Sequence, residues 1–140
     1  MVATDAKGAK FVTGTGRRKT AVARVFLFSG KGKVSVNGLS VDKYFSDLSG
    51  RQDDWKRPFN MLDIKKPEDI YTVSVKVHGS GKSSQMGAIV HGISWALANS
   101  NEEYAAVLRK NNMLTRDSRM VERKKYWLRK ARKAPQYSKR

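Results

Sequence analysis

Three segments of the chain join cations to glycines or aromatic rings, a combination suited to binding phosphate groups. The first, residues 13–19, has two glycines followed by Arg17, Arg18 and Lys19. Glycines let a backbone lie close to its ligand, and clustered cations at the end of a strand can hold the phosphates of a nucleic acid. We therefore predict a nucleic-acid contact at these three cations; a solvated, charged loop is the alternative.

The second segment, residues 79–83, reads Gly-Ser-Gly-Lys-Ser. A glycine-rich turn between a strand and a helix can cradle a phosphate. The full phosphate-loop pattern needs a glycine five residues before Gly81, and Lys76 stands there instead. The mismatch argues against a nucleotide hydrolase. Two interpretations stay open: a contact of this turn with nucleic-acid phosphate, or a plain strand-to-helix turn.

The third segment is the C-terminal stretch 116–140, which holds eleven basic and two acidic residues. Its last part has too few apolar side chains to bury, so it folds only against a partner. Tyr126, Trp127 and Tyr137 alternate with the cations, and such rings can stack on bases while cations hold phosphates. A solvated charge run is the alternative. A membrane-surface helix would need an apolar stripe, which this stretch lacks.

Catalytic and metal chemistry find no support in the sequence. No nucleophile is paired with a base above chance, so we predict no enzyme. The chain has no cysteine, and His78 and His91, its two histidines, lack the spacing of metal ligands. We therefore predict neither a metal nor a cofactor. No apolar run approaches the roughly 20 residues that span a bilayer, so we expect no membrane partner.

Length and charge indicate the domain organisation to which these segments belong. The chain has 140 residues and a formal net charge of +17. Such a charge repels itself unless a polyanion neutralises it, which favours nucleic acid over an anionic membrane surface. The length suits one compact domain with arms. We expect a flexible arm at residues 1–12, a globular domain at 13–115 and an extended basic tail at 116–140.

Hydrophobic periodicity predicts the elements. A β-branched and aromatic run at residues 20–28 indicates a buried strand, and strict alternation at residues 69–78 indicates another. Residues 34–36 read as a short strand, 39–45 as a short helix and 46–57 as a loop.

After Gly81 the period becomes helical through Leu97, with Ser83 or Ser84 as the cap. Residues 101–110 form a further helix whose acidic first turn and basic last turn suit the helix dipole. These elements predict an α/β fold, specifically an α+β two-layer sandwich. A small mixed sheet would be covered by helices and followed by the extended basic tail.

Several motifs, in this order, resemble a known family. They are residues 14–25, Val36-Asn37-Gly38, Tyr44-Phe45, residues 79–97, 114–117 and 122–125, Lys130-Ala131-Arg132 and Ser138-Lys139-Arg140. Together they span most of the chain and resemble ribosomal protein nine of the small subunit, in its bacterial and organellar branch.

The resemblance implies a non-enzymatic RNA-binding protein in the head of the small ribosomal subunit, acting in translation. Its partners would be small-subunit ribosomal RNA, peptidyl-site tRNA and neighbouring ribosomal proteins of the head. The positions expected at ribosomal RNA, by charge or by resemblance, are Arg17, Arg18, Lys19, Gly79, Gly81, Lys82, Gln85, Arg116, Arg119, Arg123, Lys124, Lys125, Arg129, Lys130, Arg132 and Lys133. By resemblance, Ser138, Lys139 and Arg140 would meet the tRNA.

Departures from the family pattern bear on the source of the chain. The family usually has three glycines at 79–81, and basic residues where Val90 and Trp95 stand here. We expect a ribosome of the bacterial cytoplasm or of an organelle matrix, in a mitochondrion or plastid, and this drift leans toward an organelle. Two rivals remain: a free-standing DNA-binding or nucleoid protein, which shows no helix-turn-helix signature, and a phosphate-loop enzyme dependent on Lys82.

Overall fold

The computed structural model of the chain describes residues 2–4, 10–48 and 50–138. Within these residues a mixed sheet of six strands has the order β1-β2-β3-β6-β4-β5. The strands are β1 (Val2–Thr4), β2 (Lys10–Arg18), β3 (Ala21–Ser29), β4 (Val34–Val36), β5 (Leu39–Ser40) and β6 (Tyr71–His78). Neighbouring strands run antiparallel except β4 and β6, which are parallel.

The helices form a second layer on one face of this sheet. They are α1 (Val41–Tyr44), a 3₁₀-helix (Gln52–Lys56), α2 (Arg57–Asn60), α3 (Pro67–Ile70), α4 (Lys82–Ser100) and α5 (Glu102–Lys110). Helix α4 packs across β2, β3 and β6, and α5 packs on α4. The predicted α+β two-layer fold is confirmed. None of the helices in the described ranges is long and apolar enough to cross a membrane.

The core lies between the sheet and α4. Alternate residues of β3 and β6 face the helix, as the period of two predicts. The buried side chains of this layer are Ala21, Ala23, Val25, Leu27, Val73, Val75 and Val77 from the sheet, and Met86, Ile89, Ile93 and Leu97 from the helix. Full burial of each larger aliphatic side chain contributes about 1.5–3 kcal/mol.

Strand β2 was not predicted, because glycines weaken a strand and its segment contains two. The structure shows why glycine is needed at these two positions. A Cβ on Gly14 would collide with the carbonyl oxygen of Gly92, and one on Gly16 would collide with that of Ala88. Ala96 completes a row of small residues spaced four apart on α4. Strand and helix backbones therefore approach more closely than larger side chains would permit.

Three other segments differ in detail from expectation. In the expected helix 39–45, Leu39–Ser40 form β5, and α1 spans only Val41–Tyr44. In part of the expected arm 1–12, β1 pairs with β2, from Val2 opposite Val12 to Thr4 opposite Lys10. The expected loop 46–57 contains the 3₁₀-helix, which buries Trp55 against Phe59 with ring centroids 6.2 Å apart. The division into arm, domain and tail stays a prediction.

The two long helices begin differently. The cap predicted for α4 is wrong: Gly81 is the N-cap, without a side-chain hydrogen bond, and Ser83 and Ser84 lie inside the first turn. Helix α5 begins as predicted at Asn101, whose side-chain oxygen accepts a hydrogen bond from the backbone N–H of Glu103 at 3.0 Å. The start of α5 was predictable from the two acids in its first turn, whereas the glycine cap of α4 leaves no such signal.

Candidate nucleic-acid interface

The turn between β2 and β3 presents the first predicted cluster at one end of the sheet. Arg17 and Lys19 are exposed, and Lys19 has a positive φ of 51°. The side chain of Arg18 lies along α4 at Gly87, where an added Cβ would collide with the Arg18 Cδ atom. Helix packing thus directs Arg18 along the domain surface while its two neighbours stay exposed to solvent.

Asp117 joins this cluster to the tail. Its Oδ2 lies 3.3 Å from Nη2 of Arg18 and 2.9 Å from Nη2 of Arg119. Its Oδ1 accepts hydrogen bonds from the Arg119 Nε at 3.0 Å and backbone N–H at 3.1 Å. These Arg119 hydrogen bonds, assisted by the charge of Arg18, hold the pKa of Asp117 well below its usual range. One carboxylate therefore holds a cation of the domain beside a cation of the tail.

The joined groups surround an open depression of about 340 Å³. Its lining residues are Arg18, Lys19, Asp117, Arg119, Met120 and Val121. Three cations face one carboxylate here, so the depression has a net positive charge. Guanidinium groups bind phosphate oxygens through paired hydrogen bonds, and the arrangement suits the phosphates of a nucleic-acid backbone.

His91 makes a second link, between the end of β2 and the segment that leads into the tail. Its Nδ1 accepts a hydrogen bond from the backbone N–H of Arg17 at 3.2 Å. Its Nε2 lies 3.1 Å from both the Leu114 carbonyl oxygen and the indole Nε1 of Trp95. On a helical wheel His91 shares a face of α4 with Ala88 and Trp95, which the sequence assigns either to a partner or to packing under α5. In the structure the segment after α5 reaches this face at Leu114.

The Gly79–Gly81 turn lies beside the β2–β3 turn. Gly79 and Ser80 have positive φ values of 81° and 52°. A Cβ on Gly79 would collide with the carbonyl oxygen of Thr20, whereas one on Gly81 would meet nothing within 4 Å. The fold therefore brings two of the three predicted segments to the same end of the sheet, with the Gly81 backbone left open.

Lys82 and Gln85 have intramolecular partners. The Lys82 Nζ donates to the Tyr44 carbonyl at 2.8 Å and lies 3.5 Å from the centroid of the Tyr44 ring. Gln85 is buried; its Oε1 accepts from the Tyr44 hydroxyl at 3.0 Å, and its Nε2 donates to the Gly79 carbonyl at 3.1 Å. Both side chains tie α1 to the first turn of α4. This geometry gives no support to an RNA contact through either side chain.

The chain contains neither helix nor strand between Asn111 and Ser138, and this stretch includes the described part of the tail. Its predicted RNA-binding residues are all exposed: Arg116, Arg119, Arg123, Lys124, Lys125, Arg129, Lys130, Arg132 and Lys133. The rings of Tyr126, Trp127 and Tyr137 are 81%, 86% and 87% exposed, open to stacking. Ser138 is exposed, and Lys139 and Arg140 lie outside the described residues.

One tail carboxylate binds two of these cations. Glu122 accepts a hydrogen bond from the Lys125 Nζ at 2.7 Å and another from the Arg132 Nε at 2.8 Å. Both hydrogen bonds lower the pKa of Glu122, and the bond from Lys125 has the larger effect. The segment between Glu122 and Arg132 is thereby drawn into a loop.

Sequence reasoning missed Asp117, His91 and Tyr44, which organise the interface without being cations. The signal for Asp117 is its place as one of two acids among eleven basic residues in 116–140. His91 and Tyr44 carry only the signal of lying in family motifs, which does not indicate their contacts. Within the described ranges, no three His, Asp or Glu side chains gather closely enough to hold a metal ion.

Comparison with known proteins identifies the family. The family model described as ribosomal protein S9/S16 matches residues 16–140. The chain is 50% identical over 127 residues to small ribosomal subunit protein uS9 of Phytoplasma australiense, which covers 91% of this chain and 95% of that protein.

Two proteins of the same name from Rickettsia give similar matches. The chain is 51% identical over 126 residues to that of Rickettsia canadensis (strain McKiel), covering 90% of this chain and 76% of the relative. For Rickettsia bellii (strain OSU 85-389) the identity is 50% over 126 residues, with coverage of 90% and 74%. These relatives are bacterial and do not support the expected lean toward an organelle. The chain belongs to the ribosomal protein S9/S16 family and is therefore a structural constituent of the small ribosomal subunit in translation, not an enzyme.

Proposed function

We propose that the protein binds ribosomal RNA in the head of the small subunit through the β2–β3 turn and the basic tail together. The observation that carries the proposal is the position of Asp117 between Arg18 and Arg119. It makes one cationic surface out of two segments that are distant in the sequence. Arg17 and Lys19 are exposed beside it, and the tail cations continue from it.

The chemistry of this surface suits RNA. Cations that neutralise phosphates release counterions, so the affinity falls as the salt concentration rises. The exposed rings of Tyr126, Trp127 and Tyr137 suit stacking on unpaired bases. The open backbone at Gly81, next to the turn, lets a phosphate approach closely. We leave the inward-turned side chains of Lys82 and Gln85 out of the proposed contact.

The end of the tail is proposed to meet peptidyl-site tRNA through Ser138, Lys139 and Arg140. About thirteen residues, 128–140, reach roughly 40 Å when extended, far enough to bridge from ribosomal RNA to a second RNA. Neighbouring ribosomal proteins of the head would surround the domain. Because the relatives are bacterial, we propose a bacterial ribosome as the setting.

Incorporation into subunits tests the turn. The R17A/R18A/K19A variant should fail to co-sediment with the small subunit on a sucrose gradient at moderate salt, where the unchanged chain remains bound. The control, K33A/K43A/K65A, removes the same charge from exposed lysines outside the cluster and should co-sediment normally. Normal incorporation of the first variant would refute the role of the turn.

Removal of residues 138–140 tests the tRNA contact separately. Subunits carrying the shortened chain should assemble, yet bind peptidyl-site tRNA more weakly than unchanged subunits in a filter-binding assay. Equal tRNA affinity in the two kinds of subunit would contradict the proposed contact without affecting the ribosomal RNA proposal.

A further inference from the structure

The face of the sheet opposite α4 carries a cluster of aromatic rings. The centroid of the Phe11 ring lies 5.7 Å from that of Phe26 and 5.5 Å from that of Phe28. The three rings are half-buried. With Ser74 and Lys76 they line an open depression of about 220 Å³. Aromatic side chains left partly exposed on a sheet indicate a surface that a partner can cover.

Strand register places cations on the same face. Arg24 of β3 stands directly opposite Lys76 of β6, and both are exposed. Like charges at directly opposite positions destabilise a sheet. No described position on this face of β2, β3 or β6 is an acid, so the sheet itself offers no neutralising partner. A bound anion would offset the repulsion.

Hydroxyl groups flank the rings. Phe26 is paired with Thr13 of β2 on one side and with Ser74 of β6 on the other. Opposite residues of neighbouring strands share a face. A ring that stacks on a base would therefore have hydroxyl groups beside it that can donate to, or accept from, the edge of that base.

We propose that this face, centred on Phe26 and Phe28, binds unpaired bases of RNA, with Arg24 and Lys76 on the adjoining phosphates. The inference rests on the proposed function, because it takes RNA as the ligand, and it adds a surface separate from the turn and the tail. In one common RNA-binding module, aromatic rings on a four-stranded sheet stack two or three bases of a single strand. An apolar protein partner is disfavoured, since it would bury two unpaired cations.

Base stacking can be measured directly with the full chain and a single-stranded RNA oligonucleotide containing 2-aminopurine, whose fluorescence falls when the base stacks. The F26L/F28L variant should lose the quenching and bind about fivefold more weakly or worse. The control Y71L removes a half-buried ring from the opposite face of the same sheet and should bind normally. Circular dichroism establishes that each variant is folded.

A second variant keeps the test decisive if F26L/F28L does not fold. R24Q/K76Q changes two exposed side chains, and the slope of log affinity against log salt should become shallower by about 0.7 for each lost contact to a single strand. An unchanged slope and affinity would overturn the inference. So would an F26L/F28L variant that binds RNA normally yet fails to enter subunits, because a protein would then cover the face.

The same RNA-binding assay distinguishes a failure of the proposed function from a failure of the sheet-face inference. If R17A/R18A/K19A weakens RNA binding and F26L/F28L does not, the sheet-face inference is wrong and the proposed function stands. If F26L/F28L alone weakens binding, the face is supported and the turn loses its proposed role. Unchanged binding by both variants would overturn both proposals.

Discussion

Segments 13–19 and 79–83 both place cations after glycines, yet Lys19 of the first and Lys82 of the second take opposite directions. In the first segment the glycines lie in β2 facing α4, and Lys19 is exposed in the turn that follows. In the second, Lys82 is the first residue of α4, and its ammonium group lies on the ring and carbonyl of Tyr44. The direction of a cation's side chain therefore depends on the element that carries it and on the partner within reach.

The largest expected effect is on the free energy of unfolding when a glycine of either segment is replaced. G16A should lower the free energy of unfolding by about 3 kcal/mol or more, because its Cβ would collide with the backbone of Ala88 and a helix cannot yield as a side chain can. G81A should stay within about 1 kcal/mol, since Gly81 has a negative φ and open space at Cβ. Urea denaturation measures both.

A stable G16A protein would mean that β2 and α4 lie farther apart than the structure has them. A strongly destabilised G81A protein would instead show that the second turn is as tightly packed as the first. Either result would erase the distinction between the two segments.

The next effect separates the two lysines. K82M should cost about 1–2 kcal/mol of stability, because it removes a hydrogen bond to a carbonyl and a close cation–ring contact. K19M should leave stability within about 0.5 kcal/mol. For RNA binding we expect the reverse: K19M reduces the salt slope by about 0.7–0.9, and K82M leaves it unchanged.

Thermal unfolding and RNA titrations at several salt concentrations test this pair. A reduced salt slope in K82M, with the stability unchanged, would show that Lys82 turns outward toward RNA. That outcome would restore the phosphate-binding interpretation of the second segment.

The smallest effect is the release of the tail from Arg18 by acid. The folded-state pKa of Asp117 lies below its ordinary value of 3.8. Its stabilisation of the contact is therefore present above that ordinary value and is lost as the pH falls through the lower, folded-state pKa. The Arg119 amide signal, followed by NMR from pH 6 downward, should move toward its position in D117A. D42A, which changes an exposed carboxylate of α1, serves as the control. A signal that does not titrate would contradict the contact.

The elements with a regular apolar period were predictable from the sequence. Strand β6 alternates strictly, and its valines all face the core. Both ends of helix α5 were predictable from the acids in its first turn and the basic residues in its last turn. Strand β2 was missed because its glycines are explained by α4, which follows about seventy residues later in the sequence. Nothing local in 13–19 distinguishes such a strand from a loop.

The candidate site likewise contains residues that the sequence identified and residues that it did not. The basic turn and tail were identifiable by composition, and within the described residues the fold leaves their cations exposed apart from Arg18. The roles of Asp117 and His91 were not identifiable, since each depends on a partner from another element. The inward position of Lys82 depends on Tyr44 in α1, which no spacing rule connects to α4.

The sequence by itself determined the polyanion partner, the two-layer fold class and, through its motifs, the family, because net charge, periodicity and motif order are properties of the chain as written. Only the tertiary structure decided which cations face solvent, which carboxylate joins domain to tail, and which face of the sheet stays open. These outcomes rest on backbone contacts and hydrogen bonds between distant residues, whose short range makes them form only once the elements have packed.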